Sequence, residues 1–126
     1  MTILTLTSPI KAELKEVRQS LSQLMKETST KVSSPMIEHL LASPGKQVRS
    51  MLVILIYKLF SVSTDNESNL IKLASSIELV HLASLVHDDV IDRAEIRRNQ
   101  ASINQKWGNE IAVALGVSLY SLSLSL

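Results

Sequence analysis

Only three glycines and three prolines interrupt the 126 residues, so long helices can form almost anywhere along the chain. Apolar residues make up 45% of the sequence, which excludes a disordered chain, and aromatic residues only 3%. A core must therefore be built mainly from Leu, Ile, Val and Ala. The length suits one domain with one core, and we expect that domain to be all-α.

Apolar residues at three- and four-residue steps predict about five helices. The first begins at Ser8–Pro9, interpreted as an N-cap followed by proline at the first helical position, and runs to about Met25. The others are predicted over 36–42, 46–60, 69 to about 98 and 110–126, with a loop over 61–69. Residues 46–60 are apolar nearly all round, so this helix is expected to be central in the bundle. The final SLYSLSLSL alternates as a strand would, but its helical neighbours favour a helix.

Charge and composition exclude several classes of function. The net charge is +1, so no global field indicates nucleic-acid binding. The absence of cysteine excludes disulfides and Cys-based zinc sites. The sequence has no run of about 18 uninterrupted apolar residues, so we expect no transmembrane helix. The first residues lack the features of a secretory signal or a transit peptide, so we expect a cytoplasmic or plastid-stromal protein. The apolar, uncapped end predicts a chain that stops where something larger would continue.

The stretch SLVHDDVIDRAEIRR places three aspartates at the end of an apolar helix. On a helix, Asp88 and Asp92 share one face with their carboxylates about 6 Å apart, and Asp89 lies roughly 100° round. His81 is two turns earlier on nearly the same face. Two carboxylates at this spacing can hold Mg²⁺, which takes waters and substrate phosphates as its other ligands. The ordinary alternative is a solvated helix end with charge pairs between neighbouring turns.

Two groups of basic residues indicate an anionic ligand. Arg97 and Arg98 follow the aspartates and offer forked donors to diphosphate oxygens. In PGKQVRS, Lys46 and Arg49 lie at the start of a helix, where cations oppose the helix dipole unless they serve an anion. The alternative for this second group is that two long side chains extend from the end of a buried helix into water.

The pair His87–Asp88 offers a different hypothesis, an HD-type phosphohydrolase. Such enzymes need further histidines as metal ligands, and this sequence has only His39 and His81 besides. The phosphohydrolase hypothesis is therefore weak.

Together, PGKQVRS, ELVHLASLVHDDVID, the arginine pair and NQKWGN resemble the motifs of the trans-type polyprenyl diphosphate synthases, in the same order and spacing over residues 45–126. The order is similar to that of long-chain, solanesyl-type members. The resemblance implies about five helices from the N-terminal portion of the isoprenoid synthase bundle, with residues 1–126 as a single partial domain. It also implies prenyl transfer in isoprenoid biosynthesis, in which isopentenyl diphosphate condenses with an allylic prenyl diphosphate in the presence of Mg²⁺.

The resemblance further implies three groups of site residues. Mg²⁺ would be held by Asp88 and Asp92, with Asp89 a less certain member. The allylic diphosphate would be contacted by Arg97, which with the two metal-binding aspartates would be catalytic. Isopentenyl diphosphate would be bound by four basic residues: Lys46, Arg49, His81 and Arg98. Ala83 and Ser84, one turn before the aspartates, would lie beneath the diphosphate in an open tunnel for the prenyl chain, unless they are small merely to let a helix pack closely.

The sequence departs from the family pattern at several positions. Pro44, Gln47, Ser50 and Asn99 replace family residues without removing a named ligand, whereas Val117 stands where the family usually has Asp. No second Asp-Asp-x-x-Asp motif occurs. Because only one wall of a two-walled cavity would be present, we expect the chain alone to be inactive. The alternatives are a non-catalytic truncated product, a partner subunit of a full-length synthase, or a helical fragment without its own function. The apolar helices also predict a homo- or hetero-oligomer.

Overall fold

The computed structural model describes residues 2–61, 63 and 65–126, which are mainly helical. Along these residues lie α1 Ile3–Thr7, α2 Lys11–Glu27, α3 Ser34–Leu41, α4 Val48–Phe60, α5 Glu67–Ile91, β1 Ile96–Arg97, β2 Gln100–Ala101, α6 Ile103–Trp107 and α7 Asn109–Leu124. The helices of eight residues or more are the five that the sequence predicts, so the all-α prediction is confirmed. The predicted loop over 61–69 includes residues 62 and 64, which lie outside the described residues.

Helix α5 is the centre of the fold, because it packs against α2, α4 and α7. By length and composition alone it could cross a membrane, a test that core helices of globular bundles also pass. Two apolar clusters surround it. One joins α5 to α7 through Leu79, Ala83, Val86, Ala112, Leu115 and Leu119, and the other joins it to α2 and α4 through Val17, Met51, Ile54, Leu70 and Ala74.

The prediction that residues 46–60 form the central helix is wrong. The helix begins at Val48, and only one side of it packs against α2 and α5. Its other side leaves Leu52 51% and Ile56 54% exposed. Helix α4 is apolar on most sides, but its burial depends on which neighbours are present. The other described residues cover only one face of it. Leu73 of α5 is likewise exposed.

The predicted helix over 69–98 ends earlier, at Ile91. Arg93 adopts a left-handed conformation with φ of 54°. The N–H of Ala94 then donates to the carbonyl of Asp89 at 2.8 Å, and that of Arg93 to Val90 at 3.3 Å. These two bonds form a Schellman motif, which satisfies the last carbonyls and turns the chain away. Arg97 and Arg98 consequently lie on a hairpin rather than on α5.

The first predicted helix start is also wrong, because α1 and a 3-10 turn over Ser8–Ile10 precede α2. Ser8 itself is helical, with φ of −51° and ψ of −48°, so it does not have the extended backbone of an N-cap.

Candidate diphosphate and metal site

The three aspartates at the end of α5 have two different environments. Asp88 and Asp92 are exposed, and within the described chain their side chains form no hydrogen bond or ion pair. Asp89 is only 4% exposed and accepts from Arg97, with Nη2 at 2.6 Å and Nε at 3.2 Å from its carboxylate. Two carboxylates are therefore free to bind a cation, while the third is already neutralised by an arginine.

The bond to Asp89 also defines the state of Arg97. Hydrogen bonding to Asp89 raises the pKa of Arg97, partial burial opposes this, and the negative charges of Asp89, Asp88 and Asp92 reinforce it. A guanidinium in this environment stays charged at every physiological pH. Its side chain is 38% exposed, so it can present further N–H donors to an anion beside the aspartates.

The hairpin that carries the arginine pair is held against α3 and the loop after it. His39 Nε2 lies 2.7 Å from the carbonyl of Ala101, and the side chain of Gln100 donates to the carbonyl of His39 at 2.9 Å. Arg98 Nη1 donates to the carbonyl of Ser43 at 3.0 Å. These contacts cannot be read from the sequence, because hydrogen bonds between residues about sixty positions apart have no local signal.

The same contacts bring the two basic groups together. The guanidinium of Arg98 lies against Gly45, where a Cβ would approach Nη2 to 2.6 Å, so a larger residue here would displace the guanidinium. Exposed Lys46 follows directly, and Arg49 is in the first turn of α4. Gln47, which replaces a basic residue of the family pattern, fastens this loop to α2 through the carbonyl of Leu14 at 3.1 Å.

His81 completes the basic side of the site from α5. Its burial lowers its pKa below the ordinary 6.5, and the charges of Arg49, Arg98 and Arg97 lower it further, against the raising effect of Glu78. A neutral imidazole at pH 7 can still donate one hydrogen bond. The structure therefore places the charges of Arg49, Arg97 and Arg98 close enough to His81 to affect its pKa.

Glu78 is a site residue that sequence reasoning did not single out. One of its oxygens, Oε1, accepts from both the N–H of Ser50 at 3.0 Å and the hydroxyl of Ser50 at 2.7 Å. Ser50 is fully buried at the third position of α4, where the backbone N–H has no partner inside its own helix. Glu78 thus caps α4 and fixes the start of that helix against α5.

Below Asp88, one face of α5 stays open. Ser84 is exposed and its hydroxyl donates to the carbonyl of Val80 in its own helix. Leu73 is 54% exposed on the same face, four turns below the aspartates. Ala83, in contrast, is 2% exposed and belongs to the core between α5 and α7. Of the two small residues, only Ser84 can line a cavity on this side.

Among the described residues, no group of three or more acidic or histidine side chains could hold a metal ion by itself. Any cation at Asp88 and Asp92 needs ligands from elsewhere, which fits a Mg²⁺ that is shared with phosphate oxygens. His87 does not join them. Its ring lies against α7, with Nε2 3.0 Å from the carbonyl of Val113, so the structure gives no support to the phosphohydrolase hypothesis.

Known proteins share both sequence and structure with this chain. The sequence profile of the family described as polyprenyl synthetase matches residues 30–126. A prenyl transferase of Cyanidium caldarium is 34% identical over 114 residues, which are 90% of this chain and 35% of that protein. The component 2 of the heptaprenyl diphosphate synthase of Bacillus subtilis is 43% identical over 89 residues, 70% of this chain and 24% of that protein.

A solved structure agrees with this result. The polyprenyl synthase of Caulobacter crescentus, crystallised with calcium and isoprenyl diphosphate, superposes with a TM-score of 0.84 at 26% identity. The superposition covers 98% of this chain and 37% of that protein. The present chain thus spans about a third of the length of such relatives.

Proposed function

Because the chain belongs to the polyprenyl synthetase family, we propose that its free aspartates and the adjacent basic residues bind Mg²⁺ together with the diphosphate of a prenyl substrate. One observation carries this proposal. Asp88 and Asp92 have no protein partner in the described structure, whereas Asp89 between them is paired with Arg97. Two unpaired carboxylates repel each other, and a cation between them relieves that repulsion. A polyanion can then bind to both the cation and the neighbouring arginines.

The proposed role belongs to prenyl transfer, the condensation of isopentenyl diphosphate with an allylic diphosphate. The allylic C–O bond breaks, the diphosphate leaves with the electron pair, the double bond of isopentenyl diphosphate attacks the allylic cation, and a proton is lost. When bound, Mg²⁺ would take up charge that develops on the leaving diphosphate. In this chain, Arg97 would donate to that diphosphate, while Lys46, Arg49, His81 and Arg98 would hold isopentenyl diphosphate.

The open face of α5 fits the apolar part of such a substrate. Four residues precede Asp88 at helical spacing on one face: Leu73, Ile77, Val80 and Ser84. From Asp88 to Leu73 this face extends about 22 Å at 1.5 Å per residue. A diphosphate at the aspartates would therefore leave its prenyl chain beside small and apolar side chains.

Binding of inorganic pyrophosphate in the presence of Mg²⁺ tests this proposal by calorimetry. We expect Asp88→Ala and Arg49→Met each to weaken binding roughly tenfold or more, since each removes a charged partner. Two exposed residues away from the site provide matched controls, Asp65→Ala for the aspartate and Lys72→Met for the arginine. Equal binding by all four variants would show that the anion does not bind here.

A second candidate function is that of a subunit that works with another chain, and the exposed apolar side chains favour it. Leu52 and Ile56 of α4, Leu73 of α5 and Val117 of α7 are each more than half exposed. Exposed apolar patches of this kind mark interaction surfaces. The unmatched part of the relatives is about twice as long as the matched part. Sequence of that kind, in the same or in a second polypeptide, would cover these exposed side chains.

Sedimentation velocity tests this candidate. We expect the 126-residue chain to form dimers or larger species, and we expect Ile56→Lys to shift it toward monomer. Val32→Lys is the matched control, since Val32 is 73% exposed on the connector between α2 and α3. A clean monomer for the unmodified chain would contradict association through these helices.

A further inference from the structure

His87 precedes Asp88 directly, yet its side chain points to the opposite neighbour, helix α7. Its Nε2 lies 3.0 Å from the carbonyl oxygen of Val113. A carbonyl oxygen only accepts, so Nε2 must carry the proton and donate. The carbonyl has two lone pairs and can accept from His87 in addition to its own helix.

Helix α7 makes room for this ring at Gly116. A Cβ built on Gly116 would lie 2.1 Å from Nε2 and 2.3 Å from Cδ2 of His87, distances that no packed side chain tolerates. Gly116 is buried in the middle of α7, where glycine otherwise lowers helix stability relative to alanine. The glycine therefore serves the close approach of the imidazole to the α7 backbone.

The contact between His87 and α7 lies at the end of α5 that carries Asp88 and Asp92. His87, whose ring contacts α7, is the residue directly before Asp88 and lies within two turns of the end of α5 at Ile91. Helix ends fray unless they are tied down, and a rotation of this end would carry Asp88 and Asp92 away from the open face. Another α5–α7 side-chain bond, from the Ser76 hydroxyl to the carbonyl of Ser123 at 2.8 Å, lies three turns away.

We propose that His87, seated against Gly116 and bonded to the Val113 carbonyl, is a positioning residue that fixes the acidic end of α5 against α7. This role rests on the proposed function, in which Asp88 and Asp92 bind Mg²⁺ together with a diphosphate. His87 does not touch the ligand. It acts by holding the backbone from which the two carboxylates project.

A double-mutant cycle tests the seat itself. Gly116→Ala should lower the midpoint of thermal unfolding in the native background, because the methyl group displaces the imidazole. In a His87→Ala background the same substitution should raise the midpoint, because the methyl group then fits and alanine favours the helix. The same sign in both backgrounds would overturn the proposed seat.

Hydrogen exchange of the Val90–Asp92 amides tests positioning without any ligand. We expect His87→Ala to accelerate exchange there roughly tenfold while amides of α2 stay unchanged. His87→Gln should restore protection, since its amide nitrogen can donate to the same carbonyl. Ser76→Ala is the matched control and should leave these amides unaffected. Unchanged or uniformly accelerated exchange in His87→Ala would assign His87 a merely structural role.

Pyrophosphate binding with Mg²⁺ separates this inference from the proposed function. We expect His87→Ala to weaken binding and His87→Gln to retain it. If the unmodified chain does not bind pyrophosphate, the proposed function fails, while hydrogen exchange still decides whether His87 positions the helix end. If the chain binds and His87→Ala binds equally well, positioning of the aspartates by His87 is excluded.

Discussion

Asp89 and Arg97 form a partly buried ion pair that ties the end of α5 to the hairpin that follows it, with Nη2 and Oδ1 2.6 Å apart. The side chain of Asp89 is almost fully buried, and the side chain of Arg97 is 38% exposed. Asn104 adds a bond from its amide nitrogen to the carbonyl of Ala94 at 2.9 Å, beyond the end of α5. The central aspartate of the motif therefore stabilises the loop that carries the arginines.

This pair predicts unequal costs for its two partners. Arg97→Met should lower the free energy of unfolding by about 3 kcal/mol, because it leaves a buried carboxylate without a counter-charge. Asp89→Asn should cost about 1–2 kcal/mol, because the amide oxygen still accepts and the arginine can reach water. Urea denaturation measures both, with Lys72→Met on the exposed side of α5 as control. An Arg97→Met cost no larger than that of the control would show that the pair contributes nothing.

His81 should titrate below its ordinary pKa of 6.5, because burial and Arg49 disfavour its charged form. Glu78→Gln should lower this pKa further, since it removes the charge that raises it, and Arg49→Met should increase it. NMR titration of the imidazole measures these shifts. A His81 pKa at or above the ordinary value in the unmodified chain would contradict the described surroundings.

The same shift makes stability depend on pH. Because the folded pKa lies below the unfolded value of 6.5, the unfolded chain binds the proton more readily in acid. The contribution of His81 is therefore complete above pH 6.5 and is lost as the pH falls below it. His81→Asn should show a smaller loss of stability than the unmodified chain in this window. Identical profiles for the two proteins would refute the linkage.

The expectation that Ala83 and Ser84 both line an open tunnel is wrong for Ala83, which is buried in the core. Ala83→Phe should unfold or strongly destabilise the chain, because the ring would overpack the core between α5 and α7. Ser84→Phe should be tolerated, because Ser84 is exposed. In a chimera that joins this chain to the remaining part of a long-chain relative, we expect products longer than the fifteen-carbon stage, and Ser84→Phe should shorten them.

Ser118→Phe is the matched control for this change. Ser118 is also exposed, and its hydroxyl likewise donates to the carbonyl four residues before it, Ala114 at 3.0 Å. It lies on α7, away from the open face of α5. Product analysis by chromatography would contradict the prediction if Ser84→Phe and Ser118→Phe gave the same chain lengths.

Condensation itself gives a further prediction. We expect the 126-residue chain alone to incorporate no more labelled isopentenyl diphosphate than its Asp88→Ala variant, because an exposed acidic face cannot shield an allylic cation from water. Turnover by the unmodified chain above that control, with Mg²⁺ supplied, would show that this part of the family fold is catalytic by itself.

The sequence predicted the five longer helices, because apolar periodicity can be read from a linear chain. The motifs also named Arg49, His81, Arg97 and Arg98, and the structure places the three arginine charges near His81. It could not predict the hairpin over 96–101, since this depends on positive φ angles at Arg93, Arg98 and Asn99, and arginine gives no signal for such a conformation. The Ser50–Glu78 bonds and the burial of Asp89 depend on contacts between distant segments. The prediction that α4 is central failed for the same reason, since periodicity does not reveal how many neighbours surround a helix.

Calorimetric titration of Mg²⁺ with and without inorganic pyrophosphate tests the central claim most directly. Asp88 and Asp92 supply two carboxylates and leave most of the Mg²⁺ octahedron to water and phosphate oxygens. We therefore predict little binding of Mg²⁺ alone, clear binding once pyrophosphate is present, and loss of that gain in Asp88→Ala. Equally tight binding of Mg²⁺ without pyrophosphate, or a gain that survives in Asp88→Ala, would contradict the account.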